Sequence, residues 1–145
     1  MIAKDFENVN IILASKSPRR QQLLAELGIK FQVRNNGDED ESFPDHLTMN
    51  EIPVFLAQQK AKPLIPTLHA HEILVTSDTI VWCNNQVLNK PLDDDDAFRM
   101  LKTLSNCKHT VITGVCISSS KNSISFYDKT DVYFRELTEN EIRYY

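Results

Sequence analysis

Short apolar runs and amphipathic stretches alternate near the start of the chain, and this pattern predicts strands separated by a helix. Asn10–Ala14 is a short apolar run that predicts a buried strand. A helix follows, because Ser17 is a good N-cap, Pro18 suits the first helical position and Gly28 suits the end. The alternating segment Lys30–Arg34 predicts a second strand.

The middle of the chain predicts further helices and strands. A helix is expected over residues 50–62, before Pro63 ends or kinks it. The side chains that this helix has available to pack are Val54, Phe55, Ala57 and Ala61. The later elements, in order, are two strand pieces within Glu72–Cys83 around Ser77–Asp78–Thr79, a hairpin turn at Asn84–Asn85, a helix over Asp94–Leu104 capped by Asp93, and two long strands, His109–Ser119 and Ser123–Arg135.

The last predicted helix begins with a capping box formed by Thr138 and Glu141. It reaches Tyr145 within about two turns of its start, and a helix this short cannot bury its apolar face alone. We therefore expect residues 1–145 to form one α/β or α+β domain that is truncated at its C-terminus.

Composition narrows the class of protein. The chain has 145 residues, of which 41% are hydrophobic and 25% charged, as in ordinary soluble globular domains. Only 3 glycines occur, which excludes a Gly-rich Walker or Rossmann phosphate loop. The net charge of −4 argues against broad nucleic-acid binding. Neither a membrane-spanning run nor a signal core is visible, and the 3 cysteines have no paired-ligand spacing, so we expect a cytoplasmic protein with free thiols.

The sharpest chemical signal is a group of cations and hydroxyls at the predicted start of the first helix. Cations are unfavourable at a helix N-terminus by roughly 0.3–1 kcal/mol each, because the macrodipole is positive there. Backbone N–H groups, guanidinium groups and hydroxyls together would suit a polyphosphate. A solvated surface patch is the alternative reading. The residues of this group are Ser15, Lys16, Ser17, Arg19 and Arg20.

Two acidic features supply the complementary chemistry. Asp78 lies within the apolar segment Leu74–Val81, and a carboxylate is costly to bury there unless it is paired or binds a metal. The run Asp38–Ser42 is also acidic, although such a run is usually a solvated loop. His69 and His71 are spaced as metal ligands, but no third histidine or cysteine is nearby, so zinc is not expected.

These signals occur in the order found in the Maf, or septum-formation, family, which the chain resembles over nearly its whole length. The combination of Ser-x-Ser-Pro-Arg-Arg, an Asp-Thr pair and a Lys-Pro pair at this spacing is specific. The matching stretches are LASKSPRRQQLLAELGIKF, DES, FLAQQKA, SDTIV, LNKPLDDDDAFRMLKTLS, HTVITGV and TDVYFRELTENEIRYY.

The resemblance implies an α/β fold with a twisted mixed sheet, flanking helices and two lobes around a cleft, similar to inosine triphosphate pyrophosphatases. It also implies metal-assisted hydrolysis of a nucleoside triphosphate to a monophosphate and pyrophosphate. Arg19 and Thr79 resemble the branch that acts on dTTP, UTP and modified pyrimidine triphosphates, and with Ser17 they would contact the substrate. Carried over by position, the catalytic group would comprise Ser15, Arg20, Glu41, Lys60, Asp78 and Lys90.

Within that group, Glu41 and Asp78 would hold Mg²⁺ or Mn²⁺, because both supply hard oxygen ligands. Arg20, Lys60 and Lys90 would neutralise the triphosphate and the pyrophosphate leaving group. The resemblance also implies a small-molecule partner and, by analogy only, a homodimer. The net charge and the lack of a membrane-spanning run lead us to expect no nucleic-acid partner and no membrane.

Two other functions compete with the enzyme. The first is a nucleotide-binding regulator of septum formation that has no catalytic activity and acts through a protein partner. Retention of two carboxylates and three cations favours the enzyme over this regulator. The second is a nucleic-acid-binding module, against which the negative net charge counts.

Overall fold

A computed structural model describes residues 9–34, 42–88 and 93–144 of the chain. Within these ranges it contains strands and helices in mixed order, which confirms the α/β fold class. The strands are β1 (Asn10–Leu13), β2 (Phe31–Val33), β3 (Glu72–Cys83), β4 (Gln86–Leu88), β5 (Lys108–Ser118) and β6 (Ser123–Tyr133). The helices are α1 (Pro18–Glu26), α2 (Glu51–Ala61), α3 (Asp94–Leu104) and α4 (Glu139–Tyr144), with a 3-10 turn at Ile65–Thr67.

The described strands form one mixed sheet in the order β2-β1-β3-β5-β6, and β4 pairs with β3. β1 lies parallel to β2 on one side and to β3 on the other. Its last paired residue, Leu13, lies opposite Val33 and Val75. β4 is antiparallel to the end of β3 and follows a turn in which Asn84 and Asn85 both have positive φ. This turn is the predicted hairpin, and asparagine is one of the residues that tolerate its conformation.

β3 corrects one prediction. The sequence suggested two strand pieces around Ser77–Asp78–Thr79, but β3 is a single strand of 12 residues that runs through these positions. A charged residue in a strand usually marks a break, because burying a charge is costly. Here the strand continues because Asp78 has a cationic partner from another element, which a local pattern does not reveal.

The chain divides into two compact units, and the division falls inside three strands. The first unit comprises Met1–Asp78 and Gly114–Tyr127, and the second comprises Thr79–Thr113 and Asp128–Tyr145. The core of the first unit includes Ile12 and Leu74 from the sheet. In the second unit, Ile142 of α4 is among the buried residues.

Helix α2 packs closely on the sheet of the first unit. Its buried residues are Ile52, Pro53, Leu56, Ala57 and Ala61. Of the four residues predicted to pack, Ala57 and Ala61 are buried, whereas Val54 and Phe55 are only half-buried. A Cβ on Gly114 of β5 would lie 2.4 Å from the carbonyl carbon of Pro53, so only glycine permits this close approach.

The three predicted N-caps are confirmed. The Ser17 hydroxyl accepts from the Arg20 backbone N–H at 3.4 Å, and the Asp93 carboxylate accepts from the Asp96 N–H at 2.8 Å. Thr138 caps α4 by accepting from the Glu141 N–H at 3.2 Å, as the capping box requires. None of the described helices has the length and apolar character needed to span a bilayer.

Candidate active site

The candidate site lies where β1 ends, within the first unit. From β1 the chain passes through α1 to β2 on one side of the strand, whereas β3 lies on the other side. In open parallel sheets, ligands bind outside the carboxyl ends of the strands at such a reversal of strand order. The geometry of the sheet therefore directs attention to the Ser15–Ser17 connection and to the adjacent part of β3.

The connection from β1 to α1 is built by local hydrogen bonds. Ser15 is buried, and its hydroxyl oxygen accepts from the Ser17 backbone N–H at 3.1 Å. Its carbonyl accepts from the Gln21 side-chain amide at 3.3 Å, which ties the turn to the first turns of the helix. The two serine hydroxyls are therefore held beside the N-terminus of α1, where backbone N–H groups and the macrodipole favour an anion.

The carbonyl group of Ser77 is the meeting point of two cations. Ala14 donates its backbone N–H to the carbonyl of Val75 at 3.1 Å, which is the last such bond between β1 and β3. Two residues further along β3, the Ser77 carbonyl accepts from the Arg20 guanidinium at 3.0 Å and from Lys60 Nζ at 3.2 Å. Because β1 ends before this point, the Ser77 carbonyl of β3 needs another donor. The side chains of Arg20 and Lys60, which come from two different helices, donate to it.

Lys60 also pairs with Asp78, the next residue of β3. Its Nζ lies 2.8 Å from Asp78 Oδ1, and the two side chains are only 12% and 11% exposed. Burying two charges is costly, and their attraction offsets that cost only when the geometry is good. A buried pair of this kind is therefore weak evidence for stability, and its position beside Arg20 makes it a candidate for function.

The structure brings five of the predicted site residues into one hydrogen-bonded group of the first unit. Arg19 is exposed on α1. Thr79 begins the second unit, and its hydroxyl lies 2.9 Å from the hydroxyl of Thr113. Glu41 and Lys90 lie outside the described residues, and so their predicted roles stay predictions. The five residues that come together are Ser15, Ser17, Arg20, Lys60 and Asp78.

Sequence reasoning missed the Ser77 carbonyl, although it joins Arg20 to Lys60. A backbone carbonyl carries no residue-type signal, so no motif could have identified it. One feature of the sequence could have indicated it: the apolar run that forms β1 is shorter than the apolar segment 73–81. A longer strand beside a shorter one has backbone groups that the shorter strand cannot pair. Residues 9–34, 42–88 and 93–144 contain no cluster of three or more His, Cys, Asp or Glu side chains that could hold a metal ion.

Solved structures share this fold. A HAM1 protein from Coxiella burnetii aligns with 86% of this chain and 72% of its own, with a TM-score of 0.54 and 16% identity. The Ham1 protein of Staphylococcus aureus aligns with 86% of this chain and 71% of its own, with a TM-score of 0.51 and 14% identity. The chain therefore has the mixed α/β fold that these two Ham1 proteins also have.

The sequence comparisons identify the family. The family described as Maf-like protein matches residues 10–145, and the chain belongs to it. A relative from Phocaeicola vulgatus, named dTTP/UTP pyrophosphatase, is 45% identical over 98% of this chain and 74% of its own length. A relative of the same name from Flavobacterium psychrophilum is 46% identical over the whole chain and 74% of its own length.

Proposed function

We propose that this chain is a nucleoside triphosphate pyrophosphatase that hydrolyses dTTP and UTP, and modified pyrimidine triphosphates of the same kind, to the monophosphate and pyrophosphate. The observation that carries the proposal is the convergence of Arg20 and Lys60 on one carbonyl beside the carboxylate of Asp78. Two relatives that cover nearly the whole chain bear the name dTTP/UTP pyrophosphatase, which supports the same substrates here.

The cations bind the triphosphate. Arg20 presents a guanidinium at the N-terminus of α1, and a guanidinium can bind phosphate oxygens through two parallel hydrogen bonds. Lys60 adds a second positive charge at the Ser77 carbonyl, and the Ser15 and Ser17 hydroxyls add polar contacts. Lys90 contributes a third cation in this proposal. Together these groups stabilise the charge that develops on the pyrophosphate leaving group.

Asp78 acts on the attacking water. The water oxygen bonds to the α-phosphorus, the bond from that phosphorus to the bridging oxygen breaks, and pyrophosphate leaves with the electron pair. The water proton passes to the carboxylate of Asp78, which Lys60 holds in place through Oδ1. The reaction needs no covalent enzyme intermediate, because water attacks the substrate directly.

The donor atoms at the site fit a divalent cation. Lys60 engages Oδ1 of Asp78, which leaves Oδ2 as a hard oxygen ligand for Mg²⁺ or Mn²⁺. Magnesium is commonly held by one or two carboxylates together with substrate phosphates, so Asp78 and Glu41 would suffice. When bound, the cation would neutralise charge on the phosphate oxygens.

Product analysis tests the proposal. With dTTP or UTP and Mg²⁺ or Mn²⁺, the protein should release pyrophosphate, which phosphorus NMR distinguishes from orthophosphate. Asp78→Asn should lower turnover by about 100-fold or more, because it removes the proton acceptor, while nucleotide binding persists. Asp128→Asn, an exposed change in β6, is the matched control and should leave turnover unchanged.

Two results would overturn this function. Orthophosphate as the only primary product would exclude the proposed bond cleavage. Nucleotide binding without turnover, in the wild-type protein and with both metals, would favour the regulatory alternative over the enzyme.

A further inference from the structure

The buried hydroxyl of Thr76 joins the site strand to the helix that carries Lys60. Thr76 of β3 is fully buried, and its Oγ1 donates to the carbonyl of Ala57 in α2 at 2.7 Å. The carbonyl of Cys116 lies 3.4 Å from the same oxygen. Because a hydroxyl has one proton, the shorter contact to Ala57 is the hydrogen bond.

This hydrogen bond lies beside the Lys60–Asp78 ion pair. Thr76 and Asp78 are two residues apart in β3 and therefore share one face of the strand, while Ala57 and Lys60 are three residues apart in α2 and share one side of the helix. The Thr76–Ala57 hydrogen bond and the Lys60–Asp78 ion pair are therefore neighbours, and both join the same face of β3 to the same side of α2.

Apolar contacts also hold α2 against β3. Ala57 and Ala61 of α2 belong to the same buried cluster as Leu74 of β3. Apolar packing is non-directional, so it constrains the position of the helix along its axis less sharply than a hydrogen bond does. A hydrogen bond has a preferred distance and angle, and it does fix that position.

We propose that Thr76 is a positioning residue that fixes α2 along its axis, so that the Lys60 ammonium reaches both Asp78 and the Ser77 carbonyl. Valine has the shape of threonine and is a more usual occupant of a buried strand position. A buried hydroxyl among apolar side chains is unfavourable unless it forms a hydrogen bond, and here that bond sets the geometry of the site. The proposal rests on the proposed pyrophosphatase function for its effect on turnover.

The first test compares Thr76→Val with Thr76→Ser and with Thr110→Val as the matched control. Thr110 is also a buried strand threonine, and its hydroxyl donates to Asp131 in the second unit. Thr76→Val should lower kcat by about tenfold, since small displacements of a reacting group have effects of this size or larger. Thr76→Ser keeps the hydroxyl and should retain wild-type kcat, and Thr110→Val should also retain it.

A double-mutant cycle separates positioning from general destabilisation. If Thr76 acts through Lys60, adding Thr76→Val to Lys60→Gln should cause no further loss of turnover. Full additivity of the two losses would overturn the proposal, as would wild-type kcat in Thr76→Val or a tenfold loss in Thr76→Ser. Should Thr76→Val fail to fold, the Thr76→Ser result still decides whether the hydroxyl suffices.

A spectroscopic test does not depend on turnover. The Lys60 ammonium signal in proton–nitrogen NMR spectra, assigned by its absence in Lys60→Gln, should shift in Thr76→Val and stay in place in Thr110→Val. An unchanged signal in Thr76→Val would overturn the positioning role even in a protein with no pyrophosphatase activity. If the wild-type protein has no pyrophosphatase activity but the signal still shifts in Thr76→Val, the positioning role is supported and the proposed function is refuted.

Discussion

Two helices of this chain begin with opposite charges. Helix α1 has no acidic residue in its first turn and carries Arg19 and Arg20 there, whereas the first turn of α3 contains Asp94, Asp95 and Asp96. Both helices have an N-cap whose side chain accepts a backbone N–H. The acidic residues of α3 complement the macrodipole, and the cations of α1 oppose it.

We propose that this difference separates a helix start that stabilises the fold from a helix start that binds the substrate. An acidic first turn contributes to stability and needs no further explanation. A basic first turn is unfavourable unless other groups compensate for it, and at α1 the Arg20 guanidinium is directed to the Ser77 carbonyl beside Asp78. The residue pattern left both an anion site and a solvated surface patch open at this end of α1, and the structure adds the backbone carbonyl of Ser77 that orients Arg20.

Among changes at the starts of these helices, the largest effect should come from neutralising Arg20. Arg20→Gln should lower kcat/KM for dTTP by about 100-fold, because it removes a charged donor to the transition state. Stability to urea should change little, since the helix loses a charge that opposes its dipole. Arg99→Gln in α3 is the matched control, because Arg99 is exposed and pairs with Asp96.

Equal losses of activity in Arg20→Gln and Arg99→Gln would contradict the proposal that α1 has a role in activity that α3 lacks. Such a result would mean that the cations of α1 act only through general electrostatics. Stopped assays of pyrophosphate release at several dTTP concentrations would provide kcat and KM separately for each variant.

A smaller effect is expected at α4, whose first turn is acidic like that of α3. The Arg135 guanidinium pairs with Glu141 and lowers the pKa of this carboxyl from 4.5 to about 2, with help from the Thr138 N–H. A depressed folded-state pKa contributes stability that is present above the unfolded pKa and is lost as pH falls through the folded value. This contribution should therefore disappear between about pH 4.5 and about pH 2.

Urea unfolding of the wild type and Glu141→Gln across this pH range provides the measurement. The difference in free energy of unfolding between them should be greatest near neutral pH and should shrink as the medium becomes acidic. If the difference in free energy of unfolding stays constant down to about pH 2, protonation of Glu141 has no effect on stability and the prediction is wrong.

Local chemistry explains which parts of the fold were predictable. Ser17, Asp93 and Thr138 were identified as N-caps, because a cap depends on residues only a few positions apart. The continuity of β3 through Asp78 was not predicted, because it depends on Lys60, which is 18 positions away in sequence. For the same reason the residues predicted to pack from α2 include Ala57 and Ala61, which are buried, as well as Val54 and Phe55, which are only half-buried.

The candidate site likewise has a part that the sequence predicted and a part that it did not. The side chains of Arg20, Lys60 and Asp78 were predicted from residue type and from the family resemblance, and the structure places them together. The roles of Ser77 and Thr76 could not be predicted, because one acts through a backbone carbonyl and the other through a hydroxyl inside an apolar cluster.

Equilibrium binding tests the central claim most directly. The claim is that Arg20 at the start of α1 binds the triphosphate, and the ligand is an α,β-methylene analogue of dTTP, which the enzyme cannot cleave. Calorimetric titration in the presence of Mg²⁺ should give a Kd at least about tenfold weaker for Arg20→Gln than for the wild type, with Arg99→Gln unchanged. Equal affinity of all three proteins for the analogue would contradict the claim.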